Sequence, residues 1–247
     1  MAKQSTFRAA VQTAAFFIAA SFAPAFAGSF QVTPVRVDLS AQQKTAAVTV
    51  TNNGERPVVI QLQSAAWTQE NGLDKYGPTE DLIATPPIFT VQAGAKQVVR
   101  IGLRVRPDAS KELSYRIYMQ EVPPPPTPGF RGLQVALRIG IPVFVEPATK
   151  AAGSLTFAAK KSGGGQLAVT LSNTGKAHLK VTDFHVSVPG IEGPIASEQV
   201  TSYLLPLQAR VWSLPLDPKK PLAGPTVHVK AFTDAGPMEA DVTLDKP

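Results

Sequence analysis

Few residues in this sequence have the type and spacing for bond-making chemistry. The chain has no cysteine, so a nucleophile would have to be Ser or Thr. No Gly-x-Ser-x-Gly elbow occurs, and none of His178, His185 and His228 lies in a triad context. Asp183 and His185 are two apart, which puts them on one face of a strand, where local hydrogen bonding accounts for them. Asp74, Glu80 and Asp81 bring carboxylates to a loop around Gly77, but their spacing fits no calcium loop. Gly163-Gly164-Gly165 lacks the Lys and Ser/Thr of a phosphate loop. Zero Cys and three His also argue against a metal site. The expectation is a protein that is no enzyme and carries no cofactor or metal.

Recognition chemistry is better represented. Arg36, Arg116 and Arg138 all fall inside β-like segments. Arg pairs bidentately with a carboxylate, so basic residues converging on one cleft would receive the C-terminal carboxylate of another chain. The net charge of +6 is modest and its Lys and Arg are scattered, which disfavours nucleic acid.

The element that must position these residues is Leu133–Val145. Leu133, Val135, Leu137, Ile139, Ile141, Val143 and Val145 alternate with Gln134, Ala136, Arg138, Gly140, Pro142 and Phe144. Side chains alternate across a strand, so one face is a ladder of large aliphatics. Pro142 cannot donate a ladder bond, which places that end at a sheet edge or bulge. An apolar edge is normally covered, either by the chain itself or by a partner.

The first 27 residues read as an export signal, with basic Lys3 and Arg8, apolar Ala9–Phe22, and cleavage expected after Ala27. No later segment is apolar enough to cross a membrane, so an exported product without membrane insertion is expected. The remainder has almost no helical periodicity. Short β-rich runs recur between Gly, Pro and Asn: Phe30–Leu39, Ala46–Thr51, Val58–Trp67, Ile88–Val91, Lys96–Val105 and Tyr115–Val122. A stiff proline run, Pro123 to Gly129, leads into the ladder. After Glu146-Pro147 the pattern resets through a small, polar hinge, Ala148–Gly153. Strands are expected at Ser154–Ala158, Leu167–Leu171, Leu179–Val188, Ala209–Leu214, Thr226–Phe232 and Glu239–Leu244. Val48-Thr49-Val50-Thr51-Asn52-Asn53-Gly54 resembles Val169-Thr170-Leu171-Ser172-Asn173-Thr174-Gly175, which points to two sandwiches of similar kind.

Several segments in order resemble the periplasmic chaperones of chaperone–usher pilus assembly. They are Arg36, Asn52, Leu82-Ile83-Ala84-Thr85-Pro86-Pro87, Gly94-Ala95-Lys96, Glu121-Val122-Pro123-Pro124 and the ladder. Tyr-Arg before Glu-Val-Pro, with Ile-Pro-Val-Phe in the ladder, is more similar to the archaic, spore-coat-U-associated branch. The resemblance implies an all-β chain of two immunoglobulin-like sandwiches in an L, spanning 28–147 and 148–247 after the signal. It implies a periplasmic protein that binds, folds and caps pilus subunits by strand donation and hands them to an outer-membrane usher. Leu133, Val135, Leu137 and Ile139 are carried into the donor role, and Arg36 into that of carboxylate anchor. The family's second anchor, a donor-strand Lys, is replaced by Pro142, and Arg116 or Arg138 is expected to supply that charge. Where the family often has an interface Arg, this chain has Glu146, with Asp234 resembling an acidic partner, so the domain interface is expected to be held differently. The alternative is an exported structural or adhesive sandwich whose ladder is internal core. The sequence leaves open which subunit is bound, and whether the free protein covers its ladder by self-association.

Overall fold

The computed structural model describes residues 30–125, 135–220, 222 and 224–245. The signal segment, Leu133 and the proline run beyond Pro125 lie outside the described residues. Among the described residues the fold is all-β. The first ten strands are β1 (Phe30–Thr33), β2 (Val37–Leu39), β3 (Thr45–Asn52), β4 (Val58–Glu70), β5 (Leu73–Pro78), β6 (Leu82–Thr85), β7 (Ile88–Val91), β8 (Lys96–Leu103), β9 (Leu113–Val122) and β10 (Arg138–Val145). The last seven are β11 (Leu155–Ser162), β12 (Gln166–Asn173), β13 (Leu179–Ser187), β14 (Ala196–Leu204), β15 (Ala209–Pro215), β16 (Thr226–Thr233) and β17 (Gly236–Asp245).

β1–β10 form two facing sheets, ordered β1-β3-β8-β6 and β2-β10-β9-β4-β5, with β7 also on β4. Their inner faces share one core that includes Val48, Val50, Ile60, Ile101, Ile117 and Met119, each 0% exposed. β11–β17 run as one continuous ladder around a second core with Leu167, Phe184, Val186 and Val229. Each large side chain so buried contributes about 1.5–3 kcal/mol.

The single strand expected over Phe30–Leu39 is two strands. Phe30 and Val32 face the core in β1, which pairs with β3; Val37 and Leu39 face it in β2, which runs parallel to β10. The inward phase shifts from even to odd positions across the break at Pro34, and Val35 is left 74% exposed. A proline has no N–H to continue either ladder, so the chain changes sheets there.

A second correction concerns Asp74, which lies in β5 rather than in a loop. β4 continues beyond Trp67 to Glu70 and turns at Asn71 and Gly72, with φ of 52° and 75°. Asn-Gly is the pair that accepts positive φ at both turn positions.

The repeated Asn-containing segment has the same local structure in both halves. Asn52 and Asn173 are each 1% exposed. The side-chain oxygen of Asn52 accepts the Gly54 N–H at 2.9 Å, and that of Asn173 accepts the Gly175 N–H at 3.0 Å. Their amides tie the turn to strand-end carbonyls, Val91 in the first half and Leu204 in the second.

Candidate functional site

The predicted ladder divides into two environments. Ile141, Val143 and Val145 are 2% exposed or less and belong to the first core. Leu137 and Ile139 pack partly against that core, while Val135 is 44% exposed. The strand described is Arg138–Val145, so the thirteen-residue ladder is not one uniform element.

Its edges differ in the same way. β9 pairs with β10 over the whole strand, but β2 pairs only with Val143–Val145. Glu121 N–H donates to the Leu137 carbonyl at 2.9 Å. Antiparallel pairs alternate, so Arg138, Gly140 and Pro142 turn their backbone polar groups away from β9. Over Arg138–Pro142 that outward side has no ladder partner among the described residues. Pro142 therefore loses no bond to β9, and the edge position expected for it is the one observed.

The three candidate arginines share the outer face of this sheet. Pro142 lies directly opposite Arg116, which in turn lies opposite Ala65 of β4. The parallel register sets Val37 beside Val143, so Arg36 falls beside Pro142 one step back. The position where a lysine was expected is thus flanked by arginines on both sides. Arg116 donates to the Gly140 carbonyl at 3.1 Å, and its guanidinium carbon stands 4.3 Å from the Trp67 ring. Its Nε is buried without a partner. Arg138 lies 3.9 Å over the Tyr118 ring and donates to Gln63 at 3.3 Å. Gly140 makes room for this: a Cβ there would stand 2.9 Å from the Tyr118 ring.

Arg36 is already ion-paired, to Asp38 at 3.0 Å and to Asp234 at 3.4 Å. Burial holds the Tyr203 hydroxyl above its ordinary range, and both Arg36 and Arg116 pull it the other way. Tyr203 is thus within electrostatic reach of both guanidinium groups. Tyr76 is likewise raised by burial and lowered by Arg116.

The seam between the two halves is built from residues that sequence reasoning did not single out. Phe144, Trp67 and Leu205 form a third buried cluster, with Tyr203 packed against it. Phe144 faces outward from the first core, yet it is 1% exposed because the second half covers it. His178 stacks on it, and Glu112 accepts from the His178 backbone at 3.1 Å and contacts its Nδ1 at 2.7 Å. Gln69 exchanges two hydrogen bonds with the Tyr203–Leu205 backbone, at 2.7 and 3.0 Å. Asp234 meets Arg36 rather than Glu146, which is exposed, so the two acids do not oppose each other. No local pattern marks Gln69 or Glu112 as seam residues, because their partners across the seam are 66 to 136 residues away.

Remaining candidates have structural partners. Asp81 accepts from the Tyr115 hydroxyl at 2.8 Å, and Asp183 meets His185 at 3.1 Å. Among the described residues no group of three His, Asp or Glu is placed to hold a metal ion.

An open, half-apolar strand edge beside two arginines, carried on paired sandwiches, has the features on which binding by strand addition relies. Residues 29–151 match the family described as pili and flagellar-assembly chaperone, PapD N-terminal domain, and this part of the chain belongs to that chaperone family. The chaperone protein FimB/FhaD of Bordetella pertussis is 31% identical over 160 residues, which are 58% of this chain and 64% of that relative, so the match spans less than two thirds of it. The fold is that of two immunoglobulin-like domains. It is shared with the CsuC–CsuE chaperone–tip adhesion subunit complex from the archaic chaperone–usher Csu pili of Acinetobacter baumannii: TM-score 0.64, 19% identity, 88% of this chain and 99% of that one. It is also shared with the Salmonella enterica SafA pilin–SafB chaperone complex: TM-score 0.60, 18% identity, 87% and 97%.

Proposed function

We propose that this chain is a periplasmic chaperone that binds, folds and caps a pilus or fimbrial subunit by donor-strand complementation and delivers it to an outer-membrane usher. The open edge of β10 beside Arg36 and Arg116 carries this reading. An incoming strand would pair with Arg138–Pro142, while Leu133, Val135, Leu137 and Ile139 fill the apolar groove of a subunit lacking a strand. Arg36 and Arg116 flank Pro142 and would receive the subunit's terminal carboxylate, with Arg138 further along the same face. The CsuC–CsuE and SafA–SafB structures are complexes of chaperones with subunits of this kind, which supports the partner class and, for CsuC, the archaic branch. The export signal supports the periplasm. We place the domain division at 147/148, between the last residues of the first core and β11.

The structural-protein reading has one observation in its favour, the burial of Ile141, Val143 and Val145 in this chain's own core. It does not extend to the open half of the strand.

Co-expression with subunits from the same locus tests the proposal. Wild type should co-purify with a subunit, and Val135→Glu and Leu137→Glu should fold yet fail to do so. Folded ladder variants that retain the subunit would overturn it.

A further inference from the structure

Arg116 is held by more than its backbone. Its guanidinium rests on Trp67, whose ring is 3% exposed. The indole N–H of Trp67 donates to Asp74 Oδ1 at 3.0 Å. The same oxygen accepts from the Gln69 amide at 2.8 Å, and that amide also donates to the Tyr203 carbonyl at 2.7 Å. These groups meet because of the β4–β5 hairpin: Trp67 is opposite Tyr76, and Gln69 opposite Asp74. Tyr76 stacks against Trp67 with centroids 6.2 Å apart, and the Arg116 guanidinium carbon also stands 6.0 Å from the Tyr76 ring. One carboxylate oxygen thus fixes the plane of the ring under Arg116 and the amide that grips the second domain.

We propose that Asp74 is a positioning residue, whose hydrogen bonds with Trp67 and Gln69 set Arg116 opposite Pro142 and tie that placement to the domain seam. The proposal rests on the reading of Arg116 as a carboxylate anchor only for its functional consequence; the placement itself is independent of it. A freely turning Trp67 would offer no fixed shelf, and a mobile guanidinium gives up the geometric advantage of a planar, pre-organised donor. The acceptor matters here, not the charge: Asn at this position keeps an oxygen for both donors, while Ala removes it.

The test compares wild type with Asp74→Asn, Asp74→Ala and Trp67→Phe, which keeps a ring but loses the N–H. The first readout is the NMR signal of the Arg116 Nε–H in the free protein, which the Trp67 ring displaces. The second is binding of a β-forming heptapeptide with a free C-terminal carboxylate against its amide. In wild type and Asp74→Asn the Nε–H signal is displaced and the free acid is preferred. In Asp74→Ala and Trp67→Phe the signal moves toward that of an unstructured arginine and the preference falls about tenfold. An unchanged Arg116 signal in folded Asp74→Ala overturns the proposal, and if that variant does not fold, an undiminished acid preference in Trp67→Phe overturns it. A wild-type protein with a displaced signal but no acid preference supports the positioning and overturns the anchor reading instead.

Discussion

Arg116 stands directly opposite Pro142 across the β9–β10 ladder and reaches the carbonyl of Gly140 on the same strand. A lysine at 142 would project from the same face, so the two side chains address one volume. Arg116→Ala is expected to lower capture of a free-acid peptide by about tenfold or more, in line with a charge-assisted hydrogen-bond pair. Adding Pro142→Lys should restore part of the loss. Titration calorimetry with the free-acid and amidated peptides checks both.

The two halves of the ladder should respond in opposite ways to a buried charge. Ile141→Glu places a carboxylate in a core position 2% exposed and should prevent stable folding. Val135→Glu falls at a site 44% exposed and should change stability by less than about 0.5 kcal/mol while removing subunit capture. Urea unfolding run beside co-purification separates the two.

At the seam, His178 and Phe144 stack with centroids 3.5 Å apart and planes 8° from parallel. Glu112 holds the edge of the His178 ring, 2.7 Å from Nδ1. His178→Ala leaves a buried carboxylate with one partner fewer and uncovers a ring face, and should cost about 2–3 kcal/mol. Urea unfolding should show the loss, and limited proteolysis should show faster cleavage in the 148–153 hinge.

Alkaline pH should destabilise the fold. Burial raises the hydroxyls of Tyr76, Tyr115 and Tyr203 above the ordinary value of 10.0, and the hydrogen bond and charge of Asp81 push Tyr115 further up. A folded-state value above the unfolded one means stability that is complete below pH 10 and is lost as pH rises past it. Thermal melts from pH 8 to 11 should show the decline. Tyr115→Phe should flatten it while costing about 1 kcal/mol at neutral pH for the lost bond to Asp81.

What the sequence made legible was local. Alternation and Asn turns disclosed the all-β character, and the repeat around Asn52 and Asn173 reflects turns with the same hydrogen bond. The outward phase of Arg116 and Arg138 could be counted along their strands, and they do share a face with Arg36. β5 was missed although Asn71-Gly72 announces its hairpin, because Leu73–Pro78 has no buried alternation, its neighbours being supplied only by β4. β14 was missed because seven of its nine residues are Ser, Glu, Gln, Thr, Tyr or Ala and its apolar signal is sparse. The Glu112–His178 and Gln69–Leu205 contacts had no signature at all, since each joins residues that only the tertiary fold brings together.

The burial of Ile141, Val143 and Val145 does more than fill space. Those three pegs fix the phase of everything that precedes them in the strand. A slip of one residue would turn Val143 out of the first core toward the seam, and a slip of two would pull each peg from its socket. The exposed half of β10 is therefore a graduated rule clamped at one end. Any chain that pairs along it is measured from the clamp, and can be held only at depths that differ by whole two-residue steps.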